Sequence, residues 1–352
     1  MQKILDVPSF GHGSVDDVAR KKSPCVECDC VGREQVLLLP KIDTLESYRR
    51  IYRDAEVWLP AMRAICQRHS LDASRLEFAP PGTHVVFTIG GPYLKLFAPL
   101  WPGDFAPERL VLNRLSEGRD LPVPTPRLVA EGEIEGWPYL VMTAVEGVPV
   151  CQVWDGMDAT DRERVAVRCG ELMAALHTVP TEGLEAIAVD WPAFVEGQKH
   201  ECIDGIGRAG LDKRWTREVR DFFAGLPPLF ELGFEPVLLS ADVTDEHILV
   251  GQRKGRWEVT GYIDFGDAML GHPDYEFAAP GCCITRGSPR LQRAMLLAYG
   301  YTEEHLGADL ARRLMAYTLI HKFINVPELL KLLGLPETAR LEVIQEGLWA
   351  FF

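Results

Sequence analysis

The segment 238–250 reads LLSADVTDEHILV, and a second segment, 261–267, reads GYIDFGD. The first places Asp242 in a short loop that runs into an apolar strand, with His247 five positions later. The second places Asp264 at the end of another apolar strand, directly before Phe-Gly. These two carboxylates and the histidine are the candidates for chemistry in this chain.

Phosphoryl transfer needs such residues, because one carboxylate orients the attacking hydroxyl and others hold the magnesium that bridges the phosphates. The order matches a kinase catalytic loop followed by a D-F-G element. The sequence therefore predicts Asp242 as the base, Asp264 as the principal Mg²⁺ ligand and His247 as a second ligand. Since Mg²⁺ prefers oxygen ligands, His247 could instead contact a phosphate, or the site could rely on Asp264 and water.

This block resembles the aminoglycoside phosphotransferase family, which has the protein-kinase-like fold. The family's catalytic loop usually reads H-G-D-x-x-x-x-N and is followed by an apolar strand, a hairpin and I-D-[FW]. Here Ser240 stands at the family's His, and His247 stands at its Asn. These two departures keep open the alternative of a nucleotide-binding pseudokinase that acts by interaction.

The run 271–278, GHPDYEFA, is similar to the family's G-D-P-x-x-D-L-A, and the second acid falls at Glu276 or Asp274. The resemblance spans about residues 75–330. It implies an α+β, two-lobed fold with a small β-rich N-lobe and a larger, mainly helical C-lobe.

The chain is then expected to divide into three parts. Residues 1–40 form an N-terminal extension, possibly disordered; residues 41–145 form the nucleotide-binding N-lobe with a leading helix; residues 146–352 form the C-lobe with the catalytic loop and the acceptor site. A helix is expected from Asp43, which has capping-box spacing to Glu46.

Two β-rich runs, 85–89 and 93–97, flank Gly-Gly-Pro and predict a hairpin. Lys95 lies in the second run and could reach nucleotide phosphates, with Glu108 of the next helix as its partner. The alternative for Lys95 is an edge-strand lysine that faces solvent. The stretch from Met142 resembles the family's interlobe hinge, where the backbone of Thr143 and Val145 would meet the base.

The resemblance implies an ATP- and Mg²⁺-dependent kinase that phosphorylates a hydroxyl of a small cationic acceptor, probably aminoglycoside-like and hence linked to antibiotic resistance. A choline-like or amino-sugar acceptor is an alternative within the same fold. Asp267 and Asp274 could bind the amines of the substrate, or could simply cap helices and tie loops. Glu276 is expected to be mainly structural.

The net charge is −14, from 37 Lys and Arg residues against 51 Asp and Glu residues. It argues against nucleic-acid or anionic-membrane partners, which call for a basic face, and favours a cationic partner. No secretory signal or membrane span is visible. The nine cysteines are therefore expected to be thiols of a cytoplasmic protein. The cluster Cys25–Cys30 contains one C-x-x-C, too weak a pattern to predict a zinc site.

Overall fold

The computed structural model describes residues 37–79, 82–117, 121–227 and 234–351. These residues divide into two compact units. The first takes in the described part of Met1–Trp101 together with Glu131–Tyr139; the second takes in Pro102–Ala130 and the described part of Leu140–Phe352. The cysteine cluster Cys25–Cys30 and most of the expected extension lie outside the described residues. The predicted division at residue 145 stays a prediction.

The described residues contain both helices and strands. The helices are α1 (Leu45–Ile51), α2 (Ala55–Arg68), α3 (Phe105–Glu117), α4 (Val150–Val153), α5 (Ala159–Leu176), α6 (Trp191–Arg208), α7 (Lys213–Ala224), α8 (Ala278–Pro280), α9 (Pro289–Tyr299), α10 (Ala308–Leu319), α11 (Val326–Leu332) and α12 (Leu341–Leu348). The strands are β1 (Leu76–Phe78), β2 (Val85–Ile89), β3 (Tyr93–Leu96), β4 (Leu128–Ile134), β5 (Trp137–Met142), β6 (Val148–Pro149), β7 (Val237–Leu239), β8 (Ile248–Arg253), β9 (Arg256–Tyr262) and β10 (Met269–Gly271). The predicted α+β class is confirmed. Within the described ranges, no helix combines the length and the apolarity that crossing a membrane requires.

The strands form three sheets. Five of them form one antiparallel-rich sheet in the order β1-β2-β3-β5-β4. The predicted hairpin is confirmed, since β2 pairs antiparallel with β3 and sets Val86 opposite Lys95. In the second unit, β7 pairs with β10, and β8 lies between β6 and β9. The candidate loop thus connects β7 to β8, and the second acidic segment follows β9.

Aromatic side chains make the core of the first unit. Tyr48 of α1 packs against Tyr52 and against Trp58 of α2, with ring centroids 5.2 and 6.2 Å apart. Trp58 then meets Trp137 of β5 at 5.8 Å. Rings of this size bury much apolar surface for each residue, so the leading helices are anchored firmly to the sheet.

The predicted start of the leading helix was wrong by one residue. The N-cap of α1 is Thr44, which forms a capping box with Ser47, and Asp43 and Glu46 do not. The N-cap of α5 is Asp158, which accepts from the backbone N–H groups of Thr160 and Asp161. In each case several neighbouring residues could cap the helix, and spacing alone does not choose among them.

The core of the second unit lies directly under the candidate loop. Ala241 belongs to a buried cluster with Trp191 of α6, Tyr275 and Tyr317 of α10. Helices α5 and α9 pack so closely at Gly170 that a Cβ there would stand only 2.2 Å from the carbonyl oxygen of Met295. The loop is therefore built on a rigid support.

Candidate active site

The structure brings Asp242, His247 and Asp264 together within the second unit. The Nδ1 atom of His247 lies 3.3 Å from Oδ2 of Asp242, and its Nε2 atom lies 3.8 Å from Oδ2 of Asp264. Asp242 is buried, whereas the Asp264 side chain is 38% exposed. The histidine ring thus stands between one shielded carboxylate and one open to solvent.

The hydrogen bonding of His247 fixes where its proton lies. Nδ1 is 3.0 Å from the carbonyl oxygen of Asp242, and a carbonyl only accepts, so Nδ1 carries the hydrogen. In the neutral ring, Nε2 then presents a lone pair toward the Asp264 carboxylate. Two electron-rich atoms 3.8 Å apart repel each other unless a cation or a proton lies near both.

Ser240, at the position of the family's histidine, has a buried partner. Its hydroxyl is hydrogen-bonded to the Tyr262 hydroxyl, which also donates to the carbonyl oxygen of Asp242 at 3.4 Å. Because Tyr262 has one hydroxyl hydrogen, Ser240 is the donor in their shared bond. Burial raises the pKa of Tyr262 well above its ordinary value, so the ring stays a neutral donor.

Ala241, between Ser240 and Asp242, is held on both sides of its backbone. It has a φ of 59°, in the left-handed region, which is costly for a residue with a Cβ. Its N–H donates to Oε1 of Glu276 at 3.1 Å, and its carbonyl accepts from Nε2 of His321 at 3.2 Å. Both partners are buried, so they fix the turn that aims Asp242.

Glu276 takes part in a second buried contact. Its other carboxylate oxygen, Oε2, lies 3.7 Å from Nε2 of His177, and Nδ1 of His177 meets the Tyr299 hydroxyl at 2.8 Å. Glu276 is therefore structural, as predicted, and its task is to hold the candidate catalytic loop. Sequence reasoning missed Tyr262, His321 and His177, since no local pattern marks them.

Asp264 and Asp267 occupy the turn after β9. Asp264 has a φ of 73°, and its Oδ1 accepts from the Gly266 N–H at 3.1 Å, which leaves Oδ2 directed at His247. Asp267 lies 4.0 Å from the Lys322 ammonium. Both acids therefore lie beside the loop, and a substrate role for Asp267 stays a prediction.

Asp274 is placed differently. It is buried, and its two carboxylate oxygens accept from the Tyr301 hydroxyl and from Nε of Arg313. A buried carboxylate with two such partners has little capacity left for a substrate amine. The geometry favours the alternative in which Asp274 ties loop to helix.

The predicted hinge residues follow β5. Thr143 is fixed to Arg127 by two bonds, since its N–H donates to the Arg127 carbonyl and its hydroxyl accepts from the Arg127 N–H, both at 2.9 Å. Val145 packs so close to Gly261 that a Cβ there would stand 2.0 Å from the valine Cγ1. Base contacts by either backbone stay a prediction.

Lys95 and Glu108 belong to different units. Lys95 is 6% exposed on β3, an interior strand of its sheet, so the alternative of a solvent-facing edge lysine was wrong. Its ammonium lies 5.2 Å from the ring centroid of Phe97. Glu108 of α3 is also buried. Their pairing stays a prediction.

Few side chains at the candidate site could bind Mg²⁺. In the described part of the chain, no group of three or more His, Cys, Asp or Glu residues could hold a metal alone. Asp264 supplies one accessible carboxylate and His247 one lone pair. Since Mg²⁺ is usually bound through one or two carboxylates together with substrate phosphates and water, the Asp264 carboxylate fits a nucleotide-bound Mg²⁺, and the His247 nitrogen is the weaker ligand of the two.

The sequence model of the phosphotransferase enzyme family matches residues 84–318. This is more than half of the chain. The protein belongs to the phosphotransferase enzyme family. The matched range includes the candidate loop, the acidic turn and β3 with Lys95, so the family assignment covers every predicted site residue.

Solved aminoglycoside phosphotransferases share the fold. The GDP complex of wild-type aminoglycoside 2'-phosphotransferase-IIIa is 18% identical and superposes with a TM-score of 0.61, covering 74% of this chain and 88% of that one. The streptomycin–ATP–APH(2")-IIa ternary complex is 16% identical and superposes with a TM-score of 0.55, covering 83% of this chain and 98% of that one. Aminoglycoside-3'-phosphotransferase of type VIII is 22% identical and superposes with a TM-score of 0.51, covering 75% of this chain and 98% of that one. The predicted kinase-like fold is confirmed, and at this identity the likeness extends to the fold alone.

Proposed function

We propose that this phosphotransferase moves the γ-phosphate of ATP to a hydroxyl of a small cationic acceptor of the aminoglycoside-like class. The observation that carries the proposal is the convergence of Asp242, His247 and Asp264 within 3.3–3.8 Å on a loop braced by buried hydrogen bonds. The net charge of −14 is consistent with a cationic acceptor.

In this proposal each residue has one task. The Asp242 carboxylate orients the acceptor hydroxyl and takes its proton while the new O–P bond forms and the bond to the leaving diphosphate breaks. Asp264 and His247 would hold Mg²⁺, which neutralises the charge that develops on the phosphates. Lys95 would bind phosphate oxygens, and the Thr143–Val145 backbone would bind the base.

The pseudokinase alternative rested on Ser240 and His247. The structure gives each of them a defined hydrogen-bond partner, Tyr262 for Ser240 and the Asp242 carbonyl for His247. This favours an active enzyme. A choline-like or amino-sugar acceptor remains the second candidate within the same mechanism.

A panel of acceptors tests the proposal. Purified protein with Mg²⁺ and ATP or GTP is assayed for nucleoside-diphosphate release with kanamycin, streptomycin, choline and glucosamine. Acceptor-dependent release that falls about 100-fold or more in Asp242→Asn, the loss expected for a positioned base, supports the proposal. Nucleotide binding without turnover on any acceptor would support the pseudokinase instead.

A further inference from the structure

A cavity of about 320 Å³ lies in the second unit, and its lining residue Arg286 contacts Asp245 of the candidate loop. It is formed where the starts of α5 and α9 meet the segment after α4. Its charged lining consists of Arg162, Arg286 and Arg290, and its other polar lining residues are Trp154, Thr285 and Ser288. Asp242, His247 and Asp264 do not line it.

The lining has an excess of positive charge on a chain whose net charge is −14. Arg286 pairs with Asp245 at 2.8 Å, and Arg290 pairs with Glu163. Arg162 donates only to the carbonyl oxygen of Trp154, at 3.2 and 3.0 Å, among the residues that the structure describes. Three guanidinium groups therefore share two carboxylates, neither of which lines the cavity.

The arginines are held in place before any ligand arrives. The guanidinium carbons of Arg162 and Arg286 lie 5.2 and 4.9 Å from the ring centroid of the buried Trp154. Such stacking fixes the planar group and leaves its edge N–H donors available. Among the described residues, Cys283 engages Nε of Arg286 and Asp245 engages its Nη2, and no hydrogen bond to Nη1 is seen there.

Ser288 adds a neutral donor to the same wall. It stands at the N-cap of α9, yet its hydroxyl makes no capping hydrogen bond. Leu291 and Ala159 supply an apolar side to the cavity. A guanidinium pair with a hydroxyl and an apolar wall is complementary to an oxyanion that carries an apolar group, because arginine binds carboxylate and phosphate through paired N–H donors.

We propose that this cavity is a binding site for a small organic oxyanion, a phosphate ester or a carboxylate, and that it shares no lining residue with the candidate phosphotransfer site. Arg162 and Arg286 bind the anionic group, and Leu291 contacts the apolar part. The inference does not depend on the proposed acceptor, since binding here requires no turnover.

Calorimetric titration of the full chain, without nucleotide or Mg²⁺ and at low ionic strength, tests this with phenyl phosphate and benzoate. Saturable binding of either anion is expected, and the tighter of the two identifies the class. Arg162→Gln should weaken it about tenfold or more, since a charge-assisted hydrogen bond is worth about 1.5–3 kcal/mol. Arg290→Gln, at an exposed position, should weaken binding less and should leave folding intact.

Arg208→Gln is the matched control. It removes one positive charge from an exposed ion pair with Glu201 on α6, outside the cavity, and should leave the affinity unchanged. Equal weakening by Arg162→Gln and Arg208→Gln would show a general charge effect and overturn the site. So would the absence of saturable binding of both anions, or binding that both cavity variants leave intact while Asp242→Asn alters it.

Discussion

The hydrogen bond between Ser240 and Tyr262 is expected to do the structural work of the histidine that the family usually has at position 240. Breaking this bond shows whether Ser240 fills that role or whether the role is missing in this chain. Ser240 is fully buried, and its hydroxyl donates to Tyr262, which in turn donates to the carbonyl of Asp242. If this relay orients the loop, each hydroxyl depends on the other. The perturbation is a double-mutant cycle of Ser240→Ala, Tyr262→Phe and the two combined.

The structure sets the expected magnitudes. Ser240→Ala removes one hydrogen bond and leaves Tyr262 its bond to Asp242, so it should cost about 0.5–1.5 kcal/mol of unfolding free energy. Tyr262→Phe leaves the Ser240 hydroxyl buried without an acceptor and should cost about 1–3 kcal/mol. The double variant should cost less than the two together by about 1 kcal/mol, because contacting residues couple.

The assay is urea denaturation followed by circular dichroism, with the transition midpoint compared at a constant m-value. Turnover with the best acceptor is measured on the same samples. Additive losses would show that the two hydroxyls act independently and would refute the relay.

Restoring the family residue provides the control. Ser240→His adds a ring at a fully buried position already packed against Tyr262, so it should destabilise the protein by about 1–3 kcal/mol without raising turnover. A stable Ser240→His variant with faster turnover would show that the histidine was lost and not replaced.

The other predictions concern the acids around the loop. Asp264→Ala should abolish the Mg²⁺ dependence of nucleotide binding, since the metal loses its carboxylate; calorimetry with and without Mg²⁺ checks this, and an unchanged dependence would place the metal elsewhere. His247→Asn should keep or raise turnover and lower the Mg²⁺ concentration for half-maximal rate, because an amide oxygen suits Mg²⁺ better; a tenfold loss would contradict the ligand role. Asp274→Ala should cost about 1–3 kcal/mol of stability, because it removes the acceptor of the Tyr301 hydroxyl while the Arg313 side chain, 41% exposed, can turn to solvent; an altered acceptor KM in a fully stable variant would restore the substrate role. Burial raises the pKa of Glu246, so its ionisation opposes folding as pH rises above the unfolded value of about 4.3. Glu246→Gln should therefore match the parent at low pH and be more stable at neutral pH, and melting curves that differ equally at all pH values would contradict it.

The catalytic block was predictable because its information is local. Asp242, His247 and Asp264 lie within 23 positions of one another, on loops that follow short apolar strands, and the hairpin β8–β9 returns the chain to bring them together. Strand periodicity and turn signals describe that geometry. The roles assigned to these residues remain predictions that activity measurements must test.

The supports of the loop were not predictable, because they come from distant parts of the chain. Glu276 is 35 positions from Ala241, and His321 is 80 positions away. Lys95 shows the same limit: its strand was predicted, but whether that strand lies at the edge of a sheet depends on β5, which arrives some 40 residues later. Neither the distant supports of Ala241 nor the position of β3 within its sheet can be read from the spacing of residues in the sequence.

Two residues of the candidate site have positive φ angles that neighbouring groups hold in place. Ala241 and Asp264 both have positive φ angles, 59° and 73°, at a cost of roughly 1–2 kcal/mol for each residue with a Cβ. Positive φ angles also occur at the exposed residues Glu135 and Lys254, so the groups that hold these two conformations in place carry the argument. Here Glu276 and His321 hold Ala241, and the Gly266 N–H holds the Asp264 side chain. Each strained residue aims a carboxylate, Asp242 in the first case and Asp264 in the second, and both face His247. Because the strain and its supports converge on one small volume, they favour a site shaped for chemistry over acids placed for solubility.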